Sequence, residues 1–244
     1  MRLRRLLLAS AVGGAALVAG GLWHPVSAAP SKPEGRHLWL ENCAYCHGDR
    51  GQGSDDAPSI TDSGTAAVDF MVRTGRMPLA APHDKMRRTT PQFDEGEIEA
   101  LVAYTATFVH GPEASTPPSH GTSLERGGAL YLENCAACHQ AVGAGGALAY
   151  GDVAPPLYRA TPREVGEAVR TGPGNMPSFG GVLSDRDIAD VTAYVGHLRE
   201  PGDRGGFDLG HLGPVPEGLV ALAGGLVALV AVTRWLGTRV ADES

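Results

Sequence analysis

The four cysteines of the chain all lie in two copies of the motif Cys-x-x-Cys-His. The first copy spans residues 43–47 and the second spans residues 135–139, 92 positions further along the chain. This motif attaches c-type haem: the two sulfurs add to the vinyl groups of one porphyrin as thioethers, and the adjacent histidine reaches the iron as its proximal ligand. The sequence therefore predicts two covalently bound c-type haems.

Two other kinds of site also use paired cysteines. Two Cys-x-x-Cys pairs can hold one structural zinc ion, and a single pair can form a redox-active disulfide. Neither site needs a histidine directly after the second cysteine in both copies. The repeated histidine therefore favours haem attachment over zinc binding and over disulfide exchange.

A Met-Pro pair follows each haem motif. The segment Thr-Gly-Arg-Met77-Pro parallels Thr-Gly-Pro-Gly-Asn-Met176-Pro, and the two methionines lie 30 and 37 residues after their haem histidines. A methionine sulfur opposite a proximal histidine favours ferrous iron and raises the reduction potential. We predict Met77 and Met176 as distal ligands. Met71 and Met86 are rival ligands in the first half and have no counterpart in the second.

Two further matched positions suggest contacts around the haems. Ligating histidines usually donate their second ring nitrogen to an acceptor, and Ala-Pro58 and Ala-Pro155 recur after the two haem motifs. We expect the carbonyls of Pro58 and Pro155 to accept these hydrogen bonds. Arg73 and Arg170 are also matched, which indicates a contact with haem propionates.

The chain between its ends is organised as two units, residues 35–110 and residues 124–200, joined by a linker at 111–123 rich in Pro, Ser, Thr and Gly. Each unit has only about 75 residues and is marginal as a domain by itself, so an attached macrocycle would complete its core. Apolar residues at helical spacing close each unit, which predicts an all-α fold; they are Ile98, Leu101, Val102 and Thr105, and Ile188, Val191, Tyr194, Val195 and Leu198.

Both ends of the chain carry apolar segments. Residues 1–29 begin with arginines, continue with an uncharged run and end in small residues, which predicts a signal peptide or an uncleaved N-terminal anchor. After a linker at 201–214, residues 215–237 are apolar on all faces and long enough for a transmembrane helix. Residues 238–244 are then a short cytoplasmic tail, and the haem units lie on the extracytoplasmic side of the cell membrane. The formal net charge of −7 argues against nucleic acid as a partner.

These features in this order resemble the di-haem cytochrome c subunit of the actinobacterial cytochrome bcc complex, a menaquinol:cytochrome c reductase. The resemblance is in NCAYCHG with TGRMP, NCAACHQ with TGPGNMP, and a C-terminal span entered through GPVPEG. It implies two tandem class I cytochrome c domains followed by a C-terminal transmembrane helix. It also implies the roles of eight residues: thioethers at Cys43, Cys46, Cys135 and Cys138, proximal ligands His47 and His139, and distal ligands Met77 and Met176.

The resemblance implies an electron relay from a Rieske iron–sulfur subunit to a cytochrome c oxidase, with a cytochrome b subunit as neighbour and a supercomplex as the assembly. No substrate-turnover site of its own is expected. The alternative is a freestanding membrane-anchored di-haem carrier that serves another redox enzyme. A peroxidase needs an iron with an openable face, and two matched Met-Pro loops argue against it. An oxidase subunit with two c haems has its membrane anchor before the haems rather than after them.

Overall fold

The computed structural model of the protein describes residues 32–82, 84–199 and 214–242. Within these ranges regular structure is helical apart from one small hairpin, which confirms the predicted all-α fold. The predicted N-terminal signal or anchor lies outside the described residues, as does nearly all of the linker 201–214. In chain order the elements are α1 Lys32–Asn42, α2 Ala44–His47, α3 Gly64–Arg73, α4 Glu95–Thr105, α5 Leu124–Asn134, α6 Ala136–His139, β1 Gly146–Ala147, β2 Val153–Ala154, α7 Pro162–Thr171, α8 Asp185–Arg199 and α9 Pro214–Asp242.

In the first unit, α1 crosses α4 at a glycine. A Cβ atom on Gly35 would lie 1.9 Å from the carbonyl oxygen of Ala100, so the two helices approach this closely only because the residue is glycine. Helix α3 packs against α4 and completes a single apolar cluster. The buried members of this cluster are Trp39, Val68, Val72, Ile98, Leu101, Phe108 and Val109.

The second unit repeats this arrangement. Helix α5 crosses α8 at Gly127, where a Cβ atom would lie 2.1 Å from the carbonyl oxygen of Asp190. Gly127 follows Gly35 by 92 positions, the same offset that separates the haem motifs. The buried apolar side chains of this unit are Tyr131, Val165, Val169, Ile188, Val191 and Val195. The helices predicted to close the two units are therefore α4 and α8, and each buries its apolar face.

Local capping explains where three of these helices begin. The Asp94 carboxylate accepts a hydrogen bond from the backbone N–H of Glu97, and the backbone N–H of Asp94 donates to the Glu97 carboxylate, which forms a capping box at α4. Thr161 and Glu164 form the same box at α7, with Pro162 as the first helical residue. At α8 the Ser184 hydroxyl accepts from the backbone N–H of Asp187. Each cap satisfies amide groups that have no partner inside the helix.

The two units contact each other through α3 and α7. The carboxylate of Asp69 is fully buried between these helices and accepts hydrogen bonds from Arg73 on its own helix and from Arg163 on α7. The Nε of Arg163 also donates to Glu167, whose side chain is fully buried as well. The two units are therefore joined by a group of ionisable side chains, of which Asp69 and Glu167 are fully buried.

Segments outside the helices add further bonds between the units. Arg88 forms a bidentate pair with Glu164, with N–O distances of 3.0 and 2.8 Å. Lys85 reaches Asp152, which lies between the two strands of the hairpin. The predicted linker 111–123 also packs on the protein, because the backbone of Ala114 donates to Thr65 on α3. The connection between the units is thus fixed along its course.

Helix α9 is the candidate membrane span. Residues 217–238 form a 22-residue window with a mean hydropathy of 2.0, and the side chains along it are exposed. A helix of that length crosses the hydrocarbon core of a bilayer. The helix continues to Asp242, so residues 238–242, expected to form the start of a tail, extend the same helix.

Candidate functional site

Each haem motif is built on a short helix that follows a longer one. Helix α1 ends at Asn42, and Cys43 then precedes the four-residue helix α2, in which the backbone N–H of His47 donates to the carbonyl of Cys43 at 3.0 Å. The second copy repeats this bond between His139 and Cys135 at 2.9 Å. Residues spaced by three and four positions share one face of a helix. The motif therefore presents two sulfurs and one imidazole on the same side.

The orientation of each histidine ring is set by a backbone carbonyl. The Nδ1 of His47 lies 3.1 Å from the carbonyl oxygen of Pro58, and the Nδ1 of His139 lies 3.0 Å from that of Pro155. These contacts confirm the two acceptors predicted from the sequence. A ring that donates from Nδ1 keeps its proton there and leaves the lone pair of Nε2 available for a metal.

An aromatic residue of the preceding helix fixes the backbone just after each histidine. The indole Nε1 of Trp39 donates to the carbonyl of Gly48 at 3.2 Å, and the hydroxyl of Tyr131 donates to the carbonyl of Gln140 at 2.7 Å. Both aromatic side chains are almost fully buried. The sequence reasoning missed these residues, although Trp39 and Tyr131 are also separated by the offset of 92 positions.

The residue after the haem histidine adopts an unusual backbone conformation in both units. Gly48 has φ 78° and ψ 164°, and Gln140 has φ 62° and ψ 160°. This region is open to glycine and strained for any residue with a Cβ atom, at a cost of about 1–3 kcal/mol. The second unit therefore stores strain directly beside the histidine of its haem motif, where the first unit does not.

Replacing Gln140 with glycine should raise the free energy of unfolding of the second unit by about 1 kcal/mol, because glycine adopts this conformation without strain. Urea unfolding of the full chain, followed by circular dichroism, measures the change. Gln140→Ala is the matched control, since it removes the same polar side chain but retains the Cβ atom. Equal stabilisation by both variants would show that the side chain, and not the backbone, causes the effect.

The structure places each predicted methionine on the same apolar cluster as the first cysteine of its motif. Met77 and Cys43 pack against the core of the first unit, and Met176 and Cys135 pack against that of the second. The backbone N–H of Met77 is held at 3.1 Å by the carbonyl of Met71 at the end of α3. The rival Met86 lies on an exposed segment and is 40 % exposed. The distal ligand assignment remains a prediction that this arrangement supports.

The first cysteine of each motif does not have the property expected of a redox-active thiol. Burial, with a smaller effect of the neighbouring Cys46, raises the pKa of Cys43 to about 12. Burial and then Cys138 raise the pKa of Cys135 to about 11. Thiols that form redox-active disulfides have lowered pKa values instead. Among the residues that the structure describes, no group of three or more His, Cys, Asp or Glu side chains could hold a metal ion.

The donor groups therefore fit a covalently held haem in each unit. Free thiols lie three positions apart on a helical turn, an imidazole beside them has its Nε2 available, and a methionine packs on the same core. This combination is what thioether attachment and His/Met ligation require.

The two matched arginines have a structural partner in each unit. Arg73 at the end of α3 pairs with Glu95 at the start of α4. Arg170 at the end of α7 pairs with Asp185 at the start of α8, at 3.0 Å. These equivalent ion pairs join consecutive helices in the two units, and the expected contact of the two arginines with haem propionates remains a prediction.

Two segments of the chain match the family described as cytochrome C oxidase, cbb3-type, subunit III; they are residues 30–104 and 122–195. The chain is 40 % identical over 215 residues to the cytochrome bc1 complex cytochrome c subunit of Mycobacterium tuberculosis strain H37Rv. The aligned residues cover 84 % of this chain and 77 % of that protein. The chain is 36 % identical over 229 residues to the subunit of the same name from Corynebacterium diphtheriae, with coverage of 84 % and 80 %. The similarity to the cbb3-type cytochrome c oxidase subunit CcoP of Azospirillum brasilense is 30 % identity over 184 residues, with coverage of 67 % and 61 %.

Proposed function

The chain belongs to the family of cytochrome c subunits of the cytochrome bc1 complex, and from this premise we propose that it is the di-haem electron relay of a respiratory quinol–cytochrome c reductase. It takes electrons from the Rieske iron–sulfur subunit and passes them to a cytochrome c oxidase held in the same supercomplex, next to a cytochrome b subunit. The chain moves electrons and has no substrate-turnover site of its own.

Each of the two units, residues 35–110 and 124–200, attaches one haem. The bound haem supplies a one-electron couple between ferric and ferrous iron. The chain's residues would hold that couple: Cys43 and Cys46, or Cys135 and Cys138, would attach the macrocycle, and the histidine and methionine of each unit would serve as iron ligands. The observation that best supports the proposal is the repeated hydrogen bond from a haem-motif histidine to a proline carbonyl, which leaves Nε2 free in both units.

The haem units lie outside the cytoplasm, and α9 crosses the membrane from outside to inside. The span begins after Glu217 and ends near Arg234 and Arg239, and positive residues accumulate on the cytoplasmic side of membrane helices. This orientation places both haem units in the compartment in which Rieske domains and the electron-accepting sites of oxidases work. The short segment at the end of α9 then lies in the cytoplasm.

The first test is a haem count on the purified full chain. We expect two covalently bound haems per chain, and one haem after Cys43→Ser combined with Cys46→Ser, because both thioether bonds of one site are then removed. The same pair of changes at Cys135 and Cys138 should also leave one haem. Denaturing gels stained for haem and the pyridine haemochrome spectrum measure the number. Two haems that survive either double change would contradict the assignment.

Partner identity needs a separate measurement. Native purification from the membrane through a tag on the chain should recover a cytochrome b subunit, a Rieske subunit and an oxidase in constant proportion. Recovery of the di-haem chain alone, under conditions that keep other respiratory complexes intact, would support the freestanding carrier instead.

A further inference from the structure

In the part of the chain that the structure describes, the guanidinium of Arg76 forms no ion pair with a carboxylate. Its Nη1 atom is buried and makes no hydrogen bond there. Its guanidinium carbon lies 4.8 Å above the ring of Phe70, a buried side chain of α3. A partly buried charge costs several kcal/mol unless an opposite charge or hydrogen bonds compensate it. This position therefore calls for an anionic group.

The nearby carboxylates of the chain are already engaged. Glu164, whose charge reaches Arg76, forms a bidentate pair with Arg88. Asp69 accepts hydrogen bonds from Arg73 and Arg163. The missing anion is therefore supplied from outside this set of side chains.

The backbone around Arg76 is held in place. The N–H groups of Arg76 and Met77 both donate to the carbonyl of Met71, at 2.9 and 3.1 Å. The segment is also hydrogen-bonded to a later part of the chain, because the backbone N–H of Thr89 donates to the carbonyl of Thr74 at 3.2 Å. Arg76 directly precedes the proposed distal ligand Met77.

We propose that Arg76 binds a propionate carboxylate of the haem attached at Cys43 and Cys46. This inference rests on the proposed function, because it needs that haem. The propionates are the two carboxylates of the macrocycle, and a guanidinium binds a carboxylate through two parallel hydrogen bonds. Arg76 thus holds the polar edge of the first haem and neutralises one of its negative charges.

Arg76 has no counterpart in the second unit. In the second unit Pro173 follows the matching Thr-Gly pair, and proline has no charged side chain. A neutralised propionate stabilises ferric iron less than a free one does, so Arg76 raises the reduction potential of the first haem selectively. The two haems of the chain differ in potential partly because of this single side chain.

The test compares Arg76→Gln and Arg76→Lys with Arg87→Gln in the full chain. Arg87 is exposed on the neighbouring segment, so its replacement removes the same charge without touching the proposed contact. We expect Arg76→Gln to shift the reduction equilibrium of one haem about tenfold towards the ferric state, which is about 59 mV for a one-electron couple. The other haem is an internal control and should not change. Arg76→Lys should give a smaller shift, and Arg87→Gln none.

Redox-difference infrared spectra identify the group that Arg76 holds. With carbon-13 placed in the propionate carboxylates, a labelled band should move in Arg76→Gln and in Arg76→Lys and should stay in place in Arg87→Gln. Unchanged labelled bands, or equal potential shifts in Arg76→Gln and Arg87→Gln, would overturn the proposal. If Arg76→Gln fails to fold, the position of the same labelled band in Arg76→Lys provides the test. An unaltered chain that attaches no haem would instead refute the proposed function.

Discussion

Replacement of Met77 by histidine lowers the midpoint potential of the first haem by roughly 0.2 V, about a quarter of the range over which axial ligands set haem potentials. The thioether sulfur of methionine favours ferrous iron, and an imidazole in its place favours ferric iron. Because Met77 packs on the same cluster as Cys43, a histidine at this position remains close enough to replace it as ligand. Met176→His should have the same effect on the second haem alone.

Optical redox titration of the full chain measures both potentials in one experiment. The ferric protein should also lose the weak near-infrared band of sulfur-to-iron charge transfer for the altered haem and keep it for the other. Met86→His is the matched control, because Met86 lies on an exposed segment of the same unit. A loss of the band in Met86→His, with the band retained in Met77→His, would transfer the ligand role to Met86.

Raising the pH from about 4.5 to about 9 should weaken the contact between the two haem units through Glu167. Burial is the main cause that raises the pKa of Glu167 to about 9, and its hydrogen bond with Asp69 adds to the effect. The pKa of Asp69 stays below its ordinary value: burial raises it, but hydrogen bonds with Arg73 and Glu167 outweigh that effect. A neutral Glu167 leaves two carboxylates, Asp69 and Glu95, opposite two guanidinium groups, Arg73 and Arg163.

The direction of this change in stability with pH depends on whether the folded or the unfolded chain binds more protons. Between pH 4.5, the ordinary pKa of a glutamate, and about 9, the folded protein holds a proton on Glu167 that the unfolded chain has released. Stability falls with pH wherever the folded state binds more protons, with a slope of at most about 1.4 kcal/mol per pH unit for one group. Below this window both states are protonated and the contribution is fully present.

Urea unfolding at a series of pH values tests this expectation. Glu167→Gln should flatten the decline in the free energy of unfolding, because an amide keeps the hydrogen bonds of the neutral carboxyl and does not titrate. Glu133→Gln, on the exposed surface of α5, should reproduce the pH profile of the unaltered chain. A Glu167→Gln profile as steep as that of the unaltered chain would mean that another group binds the proton.

The haem motifs were predictable because their chemistry needs fixed residue types at fixed spacing. The prolines that accept from His47 and His139 were predictable for the same reason, since a repeated element at a similar distance implies a repeated role. The supports provided by Trp39 and Tyr131 were missed because each uses a different side-chain group to reach a backbone carbonyl. A comparison of residue identities does not detect two different residues that make the same bond.

The contact between the units could not be predicted either. Asp69, Arg163 and Glu167 have the composition of an ordinary solvated surface, and nothing in their spacing indicates that all three lie between α3 and α7. The linker is rich in residues that usually form mobile connections. Its hydrogen bond to Thr65 and the packing of Pro117 close to Gly166 become visible only when both units are present. Long-range pairing of polar groups leaves no periodic pattern in one sequence.

The packing of α3 against α7 changes the kinetic character of transfer within the chain. Two redox centres on a loose tether must meet by diffusion before an electron can pass, and the viscosity of the medium then limits the rate. Here the buried bond from Arg163 on α7 to Asp69 on α3 replaces that search with a standing arrangement. In the proposed relay, the step between the units would therefore be first-order, and its rate would not depend on the viscosity of the surrounding solvent.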